Sequence, residues 1–284
     1  MQVITTKQEL KQRMQACKQE GKTIGFVPTM GALHEGHLAL FKRAVAENDI
    51  CVGSIFVNPT QFNNQEDLIK YPRHVEKDVE LLASIGVDFV FAPSAEEMYD
   101  ANEMTQTFAF DFQGLDSVME GKMRPGHFNG VVQVVSKLFH LIMPTRAYFG
   151  EKDFQQLAII RYMVTQSELK NTSGDLQIIG CPIVREQSGL ALSSRNERLS
   201  AEQKNIAPII YKTLLESKQN ATSHTVQETQ SFVIQQLNSV QGLEVEYFEI
   251  VDKTTLLPTK TFENAIGCVA VWCGEVRLID NIQY

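Results

Sequence analysis

A buried strand is predicted to lead directly into a helix at Thr23-Ile-Gly-Phe-Val-Pro-Thr-Met-Gly-Ala-Leu-His34-Glu-Gly-His37-Leu-Ala-Leu40. Residues 23 to 28 are mostly apolar, as expected for a strand covered on both faces, and residues 36 to 47 carry apolar side chains at helical spacing. Short apolar runs and helical stretches continue to alternate up to about residue 181. This alternation is typical of βαβ units and predicts an α/β fold class with a mostly parallel sheet.

The pattern changes after Cys181-Pro182. Helical spacing over residues 201–217 and 225–241 is followed by strand-like runs at 245–251, 267–273 and 276–279, the last two separated by the hairpin signal Gly274-Glu275. We therefore predict a Rossmann-like domain over residues 1–183 and a smaller C-terminal α+β domain over residues 184–284. The stretch 218–224 is predicted to be a surface loop.

Composition narrows the class of protein. The 284 residues include 26 Lys+Arg against 34 Asp+Glu, a formal net charge of −8, which argues against a basic nucleic-acid-binding surface. No apolar run approaches the roughly 18 residues of a membrane span, and residues 1–10 indicate a short strand and a capped helix rather than a secretory signal. We expect a soluble cytoplasmic protein whose five scattered cysteines are free thiols.

Two histidines three residues apart, His34 and His37, stand at the junction between the first strand and its helix. Helix N-termini attract anions, glycines such as Gly31 and Gly36 allow close backbone approach, and imidazole N–H groups can donate to phosphate oxygens. A P-loop is disfavoured because His37-Leu38 replaces its Lys-Ser/Thr pair, and a zinc site because the spacing is one residue short of H-E-x-x-H. A pair of merely structural histidines stays open for this segment alone.

Further chemistry follows later strands. Lys152 and Asp153 open a helix after a strand and suit a polyphosphate, although a solvated helix start is the alternative. Ser193, Ser194 and Arg195 offer hydroxyls and a guanidinium to triphosphate oxygens, or form an ordinary turn.

Two loops carry polar groups of another kind. Asn58 and Gln61 follow the second buried strand and supply neutral groups for a small hydroxy acid, with simple turn chemistry as the alternative. The segment 121–130 contains Lys122, Arg124 and His127 and is predicted to be an anion-facing loop.

Five segments stand in the order typical of one enzyme family: residues 28–37, 56–62, 124–128, 149–156 and 192–196. On these motifs the chain resembles the pantoate–β-alanine ligases, a family of nucleotidyltransferases with an H-x-G-H signature related in fold to class I aminoacyl-tRNA synthetases. The resemblance implies ATP-dependent condensation of (R)-pantoate with β-alanine through a pantoyl adenylate, with release of pyrophosphate and AMP. It also implies Mg²⁺, a homodimer, and a C-terminal domain that acts as a lid.

The resemblance further implies residue roles. His34, His37 and Lys152 would be catalytic, stabilising charge on the phosphates, while Gln61, Gln156 and Asn58 would bind the small substrates. ATP would be bound by Met30, Gly31, Ala32, Leu33, His34, Glu35, Gly36, His37, Gly150, Glu151, Lys152, Asp153, Val184, Leu192, Ser193, Ser194 and Arg195. Tyr71-Pro-Arg73, Asp78, Arg124 and His127 receive no assigned role. We expect no set of protein side chains that binds a metal. We also expect that the protein binds neither nucleic acid nor a membrane.

Two rival functions stay open at this stage. Another H-x-G-H enzyme could adenylylate a phosphate monoester, but it would need cations where Asn58 and Gln61 supply neutral groups. A non-catalytic nucleotide sensor on the same fold would release no pyrophosphate.

Overall fold

A parallel six-stranded sheet forms the centre of the first part of the chain. The computed structural model describes residues 1–63, 65–106, 108–166 and 176–284. The strand order is β1-β4-β3-β2-β5-β6, and all pairings within this sheet are parallel. The strands are β1 (Gln2–Ile4), β2 (Ile24–Thr29), β3 (Ile50–Ile55), β4 (Phe89–Phe91), β5 (Arg146–Gly150) and β6 (Gln177–Cys181). The predicted α/β class is confirmed.

Helices cover both faces of this sheet. The helices are α1 (Lys7–Gln19), α2 (Glu35–Glu47), α3 (Gln65–Lys70), α4 (Val75–Ser84), α5 (Ala95–Met98), α6 (Ala101–Thr105), α7 (Met119–Met123), α8 (His127–Ile142) and α9 (Phe154–Gln166). One apolar cluster joins residues of α1, α8 and α9 to one face, and another joins residues of α2 and α4 to the other. The strands are therefore buried on both sides, which explains their continuous apolar runs.

The strand order places a switch point between β2 and β5. From β2 the chain continues to β3 on one side, whereas β5 pairs with β2 on the other side and is followed by β6. Thr29 at the end of β2 lies beside Ile55 at the end of β3, and Gly150 lies beside Cys181. Loops that follow these strands therefore meet at one edge, where open α/β sheets bind ligands.

A separate antiparallel sheet follows three further helices. The elements are α10 (Ala201–Ile206), α11 (Ile209–Asn220), α12 (Val226–Asn238), β7 (Leu243–Asp252), β8 (Ala265–Cys273) and β9 (Val276–Gln283), and the strand order is β7-β8-β9. The hairpin between the last two strands turns at Gly274, whose φ of +58° suits glycine. Strand β9 packs against the 3₁₀ turn Glu151–Asp153 of the first part. The boundary between residues 183 and 184 stays a prediction.

Three local predictions were wrong. The single helix over 201–217 is interrupted near Pro208, because a proline ring has no N–H and cannot sit inside a continuous helix. Helix α11 then runs to Asn220, into the predicted loop 218–224. Within the segment 121–130, predicted as a loop, residues 121–123 belong to α7 and residues 127–130 to α8. Helical spacing in the sequence also predicts a helix over residues 153–167, and its last residue lies outside the described residues. Each of the described helices is too short or too polar to cross a membrane.

Candidate active site

A cavity of about 250 Å³ opens where the loops after β2, β3, β5 and β6 meet. Four of the five motif segments contribute to its wall. The predicted site residues that line it are Met30, His34, Gly36, His37, Asn58, Gln61, Gly150, Lys152, Asp153, Gln156, Val184, Leu192, Ser193, Ser194 and Arg195. Segments that are distant in the chain thus converge on one volume.

Five predicted ATP-binding residues are not among those that line this cavity: Gly31, Ala32, Leu33, Glu35 and Glu151. The Ala32 and Leu33 amides donate to the two carboxylate oxygens of Asp78, each at 2.8 Å. Those amides are therefore engaged within the protein, contrary to a direct phosphate contact in this conformation. The exposed Glu35 carboxylate lies 3.6 Å from the Lys42 ammonium instead.

Asp78 organises the loop that leads to His34. It is 1% exposed and comes from α4, which packs beside the turn after β2. Gly31 adopts φ +81°, and a Cβ there would lie 3.0 Å from the Asp78 carboxylate. A side chain at position 31 would thus be strained and crowd this carboxylate, so the glycine serves the turn rather than a phosphate. The sequence carried no signal for this role of Asp78.

Backbone hydrogen bonds fix the tautomers of the two histidines. His34 is the N-cap of α2, and its Nδ1 accepts from the Gly36 amide at 3.1 Å. The Nδ1 of His37 accepts from the His34 amide at 3.3 Å. A neutral ring whose Nδ1 accepts carries its proton on Nε2, so both rings present Nε2–H as a donor. The ring centroids are 4.0 Å apart.

Both histidines are held neutral near pH 7. Burial, and then the nearby Lys152 charge, lower the pKa of His34 to about 4. Burial, followed by His34 and Lys152, lowers the pKa of His37 to about 3. Near pH 7 each ring is therefore a neutral hydrogen-bond donor.

Gly36 leaves room for the His34 ring. A Cβ at position 36 would lie 2.8 Å from the ring's Cε1 atom. Any larger residue would displace the imidazole and break its cap on the Gly36 amide. The second glycine predicted from the motif therefore lines the cavity but also permits the histidine geometry.

The loop that carries Ser193, Ser194 and Arg195 is tied to the first loop. Ser194 Oγ donates to the Ala32 carbonyl at 3.1 Å. The Arg195 guanidinium lies 3.1 Å from the Asp67 carboxylate on α3, and Arg198 lies 3.3 Å from the same carboxylate. Among the described residues, the carboxylate paired with Arg195 is that of Asp67.

Asn58 holds the Gln61 side chain by a hydrogen bond. The Asn58 amide nitrogen donates to Gln61 Oε1 at 3.1 Å and to the Gly130 carbonyl at 3.0 Å. Its oxygen accepts from the Tyr99 hydroxyl at 2.8 Å. Asn58 is 1% exposed, and both of its amide hydrogens are used. Direct substrate binding by Asn58 stays a prediction, and the contacts favour a role in orienting Gln61.

Arg124 and His127 are not among the residues that line the large cavity; they border a neighbouring one of about 30 Å³. His127 Nδ1 bonds to the Gln61 carbonyl at 2.9 Å, and its Nε2 lies 3.3 Å from Arg124. Arg124 in turn lies 3.6 Å from Glu120, which accepts two bonds from Arg277 of β9. The anion-facing role predicted for segment 121–130 stays a prediction, and Arg124 shares the Glu120 carboxylate with Arg277.

Apolar side chains line part of the cavity. Helix α8 presents Val131, Val134, Val135 and Leu138 there, together with Phe56 from the loop after β3. Spacing of i, i+3, i+4 and i+7 marks one helix face. In the sequence this stripe is indistinguishable from a core-facing one, so it was missed.

Comparisons with known proteins agree with this geometry. The family model described as "Pantoate-beta-alanine ligase" matches residues 2–283. This chain belongs to the pantoate–β-alanine ligase family. The pantothenate synthetase of Phocaeicola vulgatus is 58% identical over 100% of this chain and 99% of that protein, and that of Bacteroides thetaiotaomicron is 55% identical with the same coverage.

Solved structures of the ligase family share the fold over its whole length. The pantothenate synthetase of Thermus thermophilus is 43% identical, with a TM-score of 0.89 and coverage of 100% of this chain and 99% of that one. The Francisella tularensis pantoate-β-alanine ligase, complexed with β-γ ATP and β-alanine, is 35% identical, with a TM-score of 0.81 and coverage of 100% and 97%. The ligase predicted from the sequence motifs is confirmed as the family of this chain.

Proposed function

We propose that this ligase activates the carboxylate of (R)-pantoate with ATP and then transfers the pantoyl group to β-alanine. The observation that carries the proposal is that phosphate-type donors, apolar side chains and neutral amides all line one cavity. A nucleotide sensor would need only the phosphate-type donors. An enzyme that adenylylates a phosphate monoester would need cations in place of the neutral amides. The supporting relative from Francisella tularensis was solved with β-γ ATP and β-alanine.

The phosphate-type donors suit a triphosphate. His34 and His37 present Nε2–H groups, Lys152 adds a positive charge, and Ser193, Ser194 and Arg195 face the same space. We propose that the histidines and Lys152 stabilise charge that grows on the phosphates, and that the serines and Arg195 hold the far phosphates. We propose that backbone groups near Val184, which lines the same cavity, bind the adenine.

The apolar side chains suit the branched carbon chain of pantoate. Gln61 and Gln156 line the same cavity. Each amide can orient a carboxylate or hydroxyl without a full charge, so the carboxylate keeps its nucleophilicity. A carboxylate oxygen would form a bond to the α-phosphorus while the bond to pyrophosphate breaks. The β-alanine amine would then form the amide bond as AMP leaves and the amine loses its proton.

The site fits Mg²⁺ bound chiefly through substrate. Among the described residues no cluster of three His, Cys, Asp or Glu side chains could hold a metal, and Asp153 supplies the single carboxylate among the residues that line the cavity. Mg²⁺ commonly uses one or two carboxylates plus substrate phosphates. We propose that Asp153 holds it, where it would supply positive charge to the phosphates.

We further propose that the protein is a cytoplasmic homodimer in which residues 184–284 act as a lid domain. The lid is supported by Ser194 and Arg195, which lie after residue 184 and line the cavity, and by the bond from Ser194 to Ala32 in the loop after β2. The remaining partners would be ATP, pantoate and β-alanine.

A staged incubation tests the function. Enzyme with ATP and pantoate alone should release about one pyrophosphate per site and retain the adenylate. Addition of β-alanine should then release AMP and pantothenate. Pyrophosphate release without pantoate, or its complete absence, would contradict the proposal; the latter result is the one expected of a nucleotide sensor.

Two adjacent glutamines offer a matched test of the pantoate end. Gln156 lines the cavity and makes no side-chain hydrogen bond to the described residues, whereas Gln155 donates to the carbonyls of Leu115 and Val118 at 2.7 and 2.9 Å. Gln156→Ala should raise the pantoate KM about 10-fold or more with little change in the ATP KM and in stability. Gln155→Ala should lower the free energy of unfolding instead. Steady-state kinetics measures the KM values of both variants, and urea denaturation measures their free energies of unfolding. Equal changes in the pantoate and ATP KM values for Gln156→Ala would refute this assignment.

Asp67 should compete with ATP for Arg195. Removal of its charge in Asp67→Asn frees the guanidinium that Asp67 now pairs at 3.1 Å. We expect the Kd for ATP to fall about threefold, a modest change because the pair is partly exposed. Isothermal titration calorimetry measures it, with Glu66→Gln on the same helix as the control. A weaker ATP affinity in Asp67→Asn would show that the carboxylate assists the nucleotide rather than opposing it.

A further inference from the structure

The side chain of Asn281 on strand β9 contacts the backbone beside the active-site residue Lys152. Its Nδ2 donates to the Glu151 carbonyl at 2.8 Å and to the Lys152 carbonyl at 3.0 Å. Asn281 is 6% exposed and lies 129 positions from Lys152 in the sequence. The two carbonyls belong to the peptide groups on either side of the Lys152 Cα, so one amide restrains the backbone on both sides of the lysine.

Asn281 is itself held in place by its neighbour. The backbone amide of Asn281 donates to Asp280 Oδ1 at 2.8 Å. Asp280 makes a bidentate pair with Arg185, at 2.6 and 2.8 Å, and the Arg185 guanidinium carbon lies 3.4 Å from the centre of the Tyr211 ring. Bidentate arginine pairs fix geometry as well as charge. This part of β9 is therefore a rigid support rather than a free strand end.

We propose that Asn281 is a positioning residue for Lys152 in adenylate formation, an inference that rests on the proposed role of Lys152 at the phosphates. An asparagine amide has two donor hydrogens, which matches two successive carbonyls. A lysine side chain is flexible, so the placement of its ammonium depends on where its backbone is held. Small displacements of a charge-stabilising group reduce its effect on the transition state strongly.

The inference predicts a loss in rate rather than in binding. Asn281→Ala should slow single-turnover pyrophosphate release about 10-fold or more, while the pantoate KM stays within about twofold. Asn281→Asp keeps the size of the side chain but removes both donors, so it should show the same loss. Asn238→Ala is the control: Asn238 Oδ1 accepts from the Val245 amide at 2.8 Å, outside the cavity, and its loss should leave the rate unchanged.

A double-mutant cycle separates positioning from structure. In a Lys152→Ala background the Asn281→Ala change should have almost no further effect on pyrophosphate release, since the group that it positions is gone. If Asn281→Ala slows both backgrounds by the same factor, or raises the pantoate KM as much as it lowers the rate, Asn281 acts elsewhere and the inference falls. If Lys152→Ala alone leaves the rate unchanged, the proposed role of Lys152 fails instead. Circular dichroism melts of each variant verify that the protein is folded.

Discussion

Replacement of Lys152 by alanine is expected to slow pantoyl adenylate formation by about 100-fold or more. Lys152 lies in the 3₁₀ turn after β5 and lines the cavity together with His34 and His37. Its positive charge, after burial, contributes to lowering the pKa of both histidines, and the same charge would attract phosphate oxygens in this cavity. Loss of one such electrostatic contact costs about 10²-fold in rate.

The measurement is the single-turnover rate of pyrophosphate release with saturating ATP and pantoate. Lys218→Ala, which changes an exposed lysine of α11, should behave as the wild type. Lys152→Arg should recover only part of the rate, because the planar guanidinium cannot take the position of the compact ammonium. A near-normal rate in Lys152→Ala would refute the electrostatic role.

A comparable loss in the rate of adenylate formation is expected when His37 loses its Nε2–H donor. In His37→Asn the side-chain oxygen can still accept from the His34 amide, as Nδ1 does at 3.3 Å, but the Nε2–H group is gone. Adenylate formation should fall about 100-fold while the N-cap of α2, and with it the free energy of unfolding, changes little. His140→Asn on the exposed side of α8 is the matched control.

The pH dependence distinguishes a neutral donor from an acid. Because the pKa values of His34 and His37 are lowered to about 4 and 3, both rings stay neutral from about pH 8 to about pH 5.5. The wild-type adenylation rate should therefore show no protonation step of these rings in that window. A step with a midpoint near the ordinary histidine value of about 6.5, lost in His37→Asn, would establish instead that His37 donates a proton.

The same shifts link the histidines to stability. Their folded pKa values lie below the unfolded value, so the unfolded chain binds more protons between about pH 6.5 and about pH 3. The stability that these neutral rings contribute is complete above about pH 6.5 and is lost as the pH falls through the folded values.

Much of the fold and most of the cavity wall could be predicted from the sequence. Apolar runs with helical stretches between them specify a parallel sheet, and the carboxyl ends of its strands share one edge. A motif that follows such a strand, such as the one with His34 or the one with Lys152, is therefore assigned to that edge by its place in the chain. Helix α7 was missed because five residues are too few to show helical periodicity. The break near Pro208 was missed because the apolar spacing was followed across a proline that cannot continue a helix.

The sequence by itself determined the α/β class, the family and the segments that meet at the cavity, because those depend on local periodicity and on motifs confined to a few residues. Only the tertiary structure decided how the motif side chains are held. Asp78 binds the turn before His34 across 46 positions, and Asn281 binds the carbonyls beside Lys152 across 129 and 130. An aspartate or asparagine so distant carries no local signal, since its partner is chosen by the packing of one element against another.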